Sequence, residues 1–241
     1  MHSDGRSDCA TIVVYVSAGM ERSPAECEYA VEQSVEEFRE RVTECMEKYS
    51  NGRGMAHFRH VTHLAIQLYD MLEEQHRLPA RFRTVLWAGA MLHDIGTDER
   101  LAGLPGEHGW RSADFIRQSP ERLSCNLANA DEIAVLAALH SGDGAGDESG
   151  LGEVPDWLAE TFGELPKELR WLVAILRVAD GLDRDLDQTV AEVEALDLAN
   201  QRILVRADSA DVGVNIDRAN QKAGLLRRVL GCPQLRVMHS I

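Results

Sequence analysis

Apolar residues recur every three or four positions along most of the chain from residue 55, a spacing typical of helices that bury one face. Glycine and polar clusters separate these periodic segments. The pattern predicts helices at approximately Met55–Gln75, Ala80–Asp94, Gly106–Gln118, Ala130–Ser141 and Leu165–Asp183. A further short helix is expected from Pro155 to Phe162, with Trp157 packed inward.

The period changes beyond Asp187. The segments VAEVEAL and QRILVRAD alternate apolar and polar residues, which predicts two strands. A helix from Asn215 to Leu230 should follow and stop at Gly231, and Gln234–Met238 could add a third strand. This C-terminal part therefore reads as a small α+β unit.

The N-terminal part holds fewer elements. Thr11–Val16 is β-branched and indicates a strand, and the SPAE segment from Ser23 resembles a capping box that starts a helix ending near Tyr49. The glycines between 51 and 54 break that helix. We therefore expect a mainly α protein with an N-terminal extension at 1–54, a helical domain at 55–187 and an α+β appendage at 188–241.

A glycine-rich and acidic loop is expected from Ser141 to Pro155. Its composition is typical of a solvated loop without regular structure. Since it begins directly after His140, a mobile lid over a site at that histidine is the alternative.

Asp180 lies within the apolar stripe of ELRWLVAILRVADGLDR, on the face of Leu172 and Leu176. A buried carboxylate without a partner costs several kcal/mol or more. A positive group should therefore lie nearby, either Arg177 or Arg184 of the same segment or a metal ion.

Histidines occupy comparable inward positions in other predicted helices. A single buried histidine is usually a satisfied core residue, but here separate apolar segments each carry histidine or carboxylate. Imidazole and carboxylate together suit a divalent metal ion. The candidate ligands are His57, His93, Asp94, His108, His140 and Asp180.

The order of these residues resembles the HD superfamily of metal-dependent phosphohydrolases. The segments HFRHVTHLAIQLYDML, LWAGAMLHDIG and LRVADGLDR are similar to the C-terminal HD domain of the exopolyphosphatase/guanosine pentaphosphate phosphatase family, and the tail resembles that family's strand–helix–strand unit. The resemblance implies an HD-type helical domain. It implies a mononuclear site of His57, His93, Asp94 and Asp180, or a dinuclear one that adds His108 and His140 with Asp94 as the bridge.

Two positions depart from the resemblance. Thr97 follows the HDIG segment where many HD phosphohydrolases have a lysine. The exopolyphosphatase-like pattern has a basic pair around the third histidine, whereas here only Arg111 is nearby. The leading region is also too short for the actin-like nucleotide-binding pair of full-length exopolyphosphatases, so exopolyphosphatase activity is not expected.

The implied activity is hydrolysis of a phosphate ester or anhydride of a small metabolite, of the nucleotide or guanosine polyphosphate class. One or two divalent ions (Mn, Fe, Ni, Co or Mg) would serve as cofactor, with His93 and Asp94 as catalytic residues. Arg111, Arg177 and Arg184 are the candidates for substrate phosphate, and Arg177 could equally pair with Asp180. The alternatives are a regulatory or nucleotide-binding module without turnover, and an interaction domain with a structural ion.

Composition limits the partners. The 241 residues carry a net charge of −15, with 40 acidic against 25 basic side chains, which disfavours nucleic acid. No segment resembles a membrane span or a signal peptide. Five scattered cysteines without paired spacing indicate reduced thiols in a cytoplasm. A homodimer is left open.

Overall fold

Ten helices and a three-stranded sheet make up the described part of the chain in the computed structural model. That part comprises residues 24–50, 54–101, 103, 106–118, 123, 127–141, 151, 154–209 and 211–240. The strand predicted at Thr11–Val16 lies outside the described residues, as does most of the loop predicted from Ser141 to Pro155. The lid interpretation of that loop therefore stays a prediction.

The helices follow the predicted order closely. Their bounds are α1 Pro24–Tyr49, α2 Met55–Met71, α3 Glu73–His76, α4 Arg81–Leu92, α5 His108–Gln118, α6 Leu127–Leu139, α7 Asp156–Phe162, α8 Lys167–Gly181, α9 Gly213–Lys222 and α10 Gly224–Leu230. Two short 3₁₀ turns follow α4, at Ile95–Thr97 and Glu99–Leu101.

Helix α8 is the centre of the helical domain. Every residue from Trp171 to Ala179 is buried, so the helix is enclosed on all sides and does not carry the single apolar stripe that its sequence suggested. Helices α2, α4 and α6 pack directly against it. Asp180 follows this buried stretch and is itself largely enclosed, with a side chain that is 14% exposed.

Two predicted helices are each divided in two. The helix from Met55 is interrupted at Leu72, and α3 then ends at His76, before Arg77, whose φ of 51° is left-handed. The C-terminal helix is interrupted at Ala223. Lys222, Ala223, Leu225 and Leu226, which flank this interruption, are all buried.

The sheet is built from β1 Val190–Asp197, β2 Arg202–Ala207 and β3 Arg236–His239, in that order. Strands β1 and β2 form an antiparallel hairpin, whereas β3 runs parallel to β2 because α9 and α10 form the crossover between them. The sheet contacts α2 where Gln67 Oε1 accepts a hydrogen bond from Val193 N at 2.9 Å. The predicted fold class, a mainly α protein with a small α+β unit at its C-terminus, is confirmed.

The described residues also bear on what the sequence indicated about cysteines and membrane spans. Cys45 and Cys232, the cysteines whose side chains are described, are not joined by a disulfide to any described cysteine. Within the same residues, no helix combines the length and the apolar character that crossing a membrane requires.

Candidate metal centre

The six candidate ligands gather at one end of the helical domain. His57 lies in the first turn of α2, His108 begins α5, and Asp180 lies in the last turn of α8. His93 and His140 directly follow the last residues of α4 and α6, and Asp94 comes next after His93. Helix ends therefore deliver nearly all of the donor groups.

The two helix-end histidines are held in the same way. His93 Nδ1 donates to the carbonyl of Ala90, and His140 Nδ1 donates to the carbonyl of Ala137, each at 2.7 Å. A carbonyl oxygen can only accept, so Nδ1 carries the proton and Nε2 presents its lone pair. Both imidazoles thus keep the lone pair of Nε2 available for a metal ion.

Asp183 does the same for His57. Its Oδ2 lies 2.8 Å from His57 Nδ1, it is fully buried, and its Oδ1 accepts from the backbone N–H of Gln188. A carboxylate on one imidazole nitrogen orients the other toward a metal ion and makes it more basic. Sequence reasoning missed Asp183, although its position three residues after Asp180, within the predicted helix Leu165–Asp183, was a usable signal.

A first set of donors surrounds Asp180. Its Oδ1 lies 3.6 Å from Nε2 of both His57 and His93. Oδ2 of Asp94 lies 3.8 Å from His93 Nε2. Donor atoms of His57, His93 and Asp94 all lie within 4.8 Å of one another.

A second set uses the other oxygen of Asp94. Its Oδ1 lies 3.0 Å from Nε2 of His140 and 3.3 Å from Nε2 of His108, and the two imidazole nitrogens are 3.3 Å apart. The two sets therefore share Asp94, with one oxygen directed toward each.

Gly96 allows this second set to close. A Cβ built on Gly96 would lie 2.2 Å from the carbonyl oxygen of His108 and 2.6 Å from the backbone nitrogen of Ser112. The Gly96 N–H also donates to Ser112 Oγ at 2.8 Å. Any larger residue would hold α5, and His108 with it, away from Asp94.

These separations fit metal coordination. Two donors bound at about 2.1 Å to one ion lie about 3.0 Å apart at right angles and about 3.4 Å apart at tetrahedral angles. Neutral imidazole lone pairs and carboxylate oxygens repel each other at these distances unless a proton or a metal ion lies between them. Among the described residues, His93 Nε2 and Asp94 Oδ1 are buried atoms with no hydrogen-bond partner. The residues present therefore fit a divalent ion.

The charge states of these groups in the metal-free protein also favour binding of a cation. Burial opposes protonation of His93, but Asp94 and Asp180 outweigh it and raise its pKa. Burial would raise the pKa of the Asp94 and Asp180 carboxyls, yet neighbouring positive groups hold both below their usual range. Burial lowers the pKa of His140 despite the nearby Asp94. The carboxylates thus stay ionised and attract cations.

Lys222, at the end of α9, supplies one such cation. Its ammonium group donates to Asp180 Oδ2 and to the carbonyl of His140, the latter at 3.3 Å, whereas Oδ1 is the oxygen 3.6 Å from the histidine nitrogens. Sequence reasoning sought the partner of Asp180 within its own helix or in a metal ion. It missed Lys222, which lies 42 positions further along the chain.

The predicted substrate arginines are not placed alike. Arg177 is fully buried, and its guanidinium donates to the carbonyls of Leu139 and Leu151 at 2.7 and 2.6 Å. Arg111 donates to the carbonyls of Gly96 and Gly106. Neither lines the cavity at the donor groups, whereas Arg184 does. The structure thus gives Arg177 and Arg111 backbone-holding positions and leaves Arg184 facing the cavity.

The cavity has a volume of about 250 Å³. Most of the residues around it are either histidines and carboxylates of the candidate metal centre or cations, and Ser141 and Leu186 complete the lining. The histidines and carboxylates are His57, Asp94, His108, His140, Asp180 and Asp183. The cations are Arg184, Arg218 and Lys222. Arg218 is a further residue that the sequence did not single out.

Comparison with known proteins identifies the helical part. The HD domain model matches residues 54–185, a segment that contains all six candidate ligands and more than half of the chain. No curated protein matches the chain significantly.

Proposed function

Because the chain belongs to the HD domain family, whose members are generally metal-dependent hydrolases, we propose that it is a divalent-metal-dependent phosphohydrolase. The proposed substrate is a small phosphorylated metabolite carrying an ester or anhydride bond. Guanosine polyphosphates and nucleotides are the preferred candidate substrates, because the sequence resembles the exopolyphosphatase/guanosine pentaphosphate phosphatase family.

One observation carries the proposal. The two oxygens of Asp94 face two different sets of imidazole nitrogens, with His93 on one side and His108 and His140 on the other. A bridging carboxylate between two such sets is the arrangement of a two-metal site, which favours two ions over one.

Each residue then has a role. His57, His93, Asp94 and Asp180 would hold one ion, and Asp94, His108 and His140 the other. When bound, such ions make a water molecule nucleophilic near neutral pH and polarise a phosphoryl oxygen. The many imidazole donors favour Mn, Fe, Co or Ni over Mg, which prefers an oxygen-only shell. Arg184 remains the arginine proposed to meet substrate phosphate.

Replacing Asp94 by alanine tests the proposal. Since Asp94 belongs to both sets, we expect the variant to lose most bound metal and at least about 100-fold of its phosphate release, because losing even a residue that only orients a ligand costs about 10–100-fold. Metal content is measured by elemental analysis, and phosphate release on a panel of phosphorylated metabolites.

Glu107→Ala is the matched control, because Glu107 is an exposed acid beside His108. Equal metal content in Asp94→Ala and the wild type would contradict the ligand assignment. A metal-loaded wild type without turnover of any panel compound would contradict the hydrolase proposal.

A further inference from the structure

Cations from outside the family domain face the donor groups. Arg218 and Lys222 both line the cavity, and both belong to α9, beyond the matched residues 54–185. Arg184 is the third cation of the cavity and lies at the end of that match. The C-terminal unit therefore contributes directly to the site.

Lys222 lies closest to the donor groups. Its side chain is only 5% exposed, and it contacts Asp180 of the first set and the backbone of His140 of the second. A buried lysine is costly unless it is paired. This one is held where both sets of metal donors meet the cavity.

Helix α9 is fixed in place by close packing on α8. A Cβ on Gly181 would lie 2.7 Å from Cα and 2.8 Å from N of Ala219, so the two backbones are in direct contact. Buried Asn215 adds hydrogen bonds from its amide group to Thr189 Oγ1 at 2.9 Å and from Asp185 N at 3.3 Å. Lys222 and Arg218 are thus placed by rigid contacts.

The overall charge of the protein means that an anionic substrate must be attracted locally. With a net charge of −15, the protein as a whole repels phosphate. Local attraction must come from groups inside the cavity. With the charge of Asp180 balanced by a divalent ion, the ammonium group of Lys222 is free to donate to a phosphoryl oxygen.

We propose that α9 supplies the phosphate-binding side of the cavity, with Lys222 and Arg218 contacting the phosphoryl oxygens of the substrate. The inference rests on the proposed function, and it extends that function by making the C-terminal unit part of the active site. Lys222 and Arg218 then take the place of the arginines at 111 and 177 in substrate binding.

Binding of inorganic phosphate to the full-length, Mn²⁺-loaded protein tests this without requiring turnover. We expect Lys222→Met and Arg218→Met each to weaken phosphate binding at least about 10-fold, as measured by calorimetry, since each loses one charge-assisted hydrogen bond. Mn²⁺ content should stay at the wild-type level in both. Arg236→Met is the control, because Arg236 is an exposed arginine of the same unit that lies away from the cavity.

The outcomes separate the two proposals. Unchanged phosphate affinity in both variants, with Mn²⁺ retained, overturns the inference and leaves the proposed function standing. Loss of Mn²⁺ from Lys222→Met overturns the phosphate role of Lys222 and makes it a ligand-positioning residue. If Lys222→Met, which alters a buried residue, unfolds the protein, Arg218→Met still tests the phosphate-binding side of the cavity, because Arg218 is half-buried. A wild type that holds none of Mn²⁺, Fe²⁺, Co²⁺ and Ni²⁺ refutes the proposed function, and the inference with it.

Discussion

At the scale of single residues, the direction of each imidazole matters more than its presence near the cavity. Ala90, Ala137 and Asp183 each accept the Nδ1 proton of a histidine and leave Nε2 as a donor atom. His76 shows the contrasting case. Its two ring nitrogens are used by Tyr69 O and Leu78 N within the core, so it has no free lone pair. The presence of a histidine in the sequence therefore does not show whether it offers a nitrogen to a metal ion or is a hydrogen-bonded core residue.

Asp183→Ala removes the group that orients His57. The Nδ1 proton of His57 would lose its buried acceptor, at a cost of about 1–3 kcal/mol. We expect metal affinity to fall about 10–100-fold, as for other partners of metal-binding histidines. Asp183→Asn keeps an acceptor for the Nδ1 proton, so its metal affinity should lie between that of Asp183→Ala and that of the wild type. Metal titration of the metal-free protein measures the effect.

Asp185→Ala is the control for this prediction, because Asp185 is exposed and lies two positions from Asp183. Wild-type metal affinity in Asp183→Ala would contradict the orienting role of that carboxylate.

At the scale of elements, helix termini and tight crossings assemble the centre. Helices α4 and α6 end immediately before His93 and His140, and the turn after α4 approaches the start of α5 at Gly96. The buried α8 carries Asp180 and Asp183 in and just after its last turn. Periodicity predicted all of these helices, but their terminal residues were predicted only to within a few positions, and the termini set the geometry.

Gly96→Ala should separate the two donor sets. The new methyl group would clash with the backbone of α5, and overpacking of this kind costs about 1–3 kcal/mol. Moving α5 withdraws His108 from Asp94 but leaves His57, His93 and Asp180 in place. We therefore expect a lower thermal midpoint and loss of about half of the bound metal, by elemental analysis and thermal unfolding.

Gly103→Ala provides the comparison, since a Cβ at Gly103 would meet nothing within 4 Å. Full metal content together with an unchanged thermal midpoint in Gly96→Ala would show that the contact between this turn and α5 is not needed.

At the scale of the whole molecule, the metal centre lies where the helical domain meets the C-terminal unit. Three buried or nearly buried carboxylates, Asp94, Asp180 and Asp183, come together there in a chain that is already strongly acidic. Lys222 compensates only part of that charge. A divalent ion would therefore stabilise the folded chain as well as supply chemistry.

Chelation tests this link between metal and stability. A ligand at 100 times its Kd stabilises the folded state by about 2.7 kcal/mol. For a chain of this size, about 1 kcal/mol corresponds to about 2–4 °C. We expect EDTA to lower the thermal midpoint by about 5–10 °C and added Mn²⁺ to restore it, with little effect on Asp94→Ala. A midpoint insensitive to EDTA in metal-loaded wild type would contradict a stabilising ion.

The sequence by itself determined the helical order, the α+β unit and the types of residue offered to a metal. Hydrophobic periodicity is a local property, so helices α2, α4, α5, α6 and α8 could be located from it. A carboxylate in an apolar helix is also a local signal, and it pointed to Asp180.

Only the tertiary structure decided which groups meet. Lys222 reaches Asp180 because Gly181 lets α9 pack against α8, and no local pattern relates residues so far apart in sequence. Arg177 lies beside Asp180 in sequence, yet the burial of α8 on all sides turns its guanidinium toward the carbonyls of Leu139 and Leu151. Pairing in the interior depends on how helices cross, and that is set by packing across the whole domain.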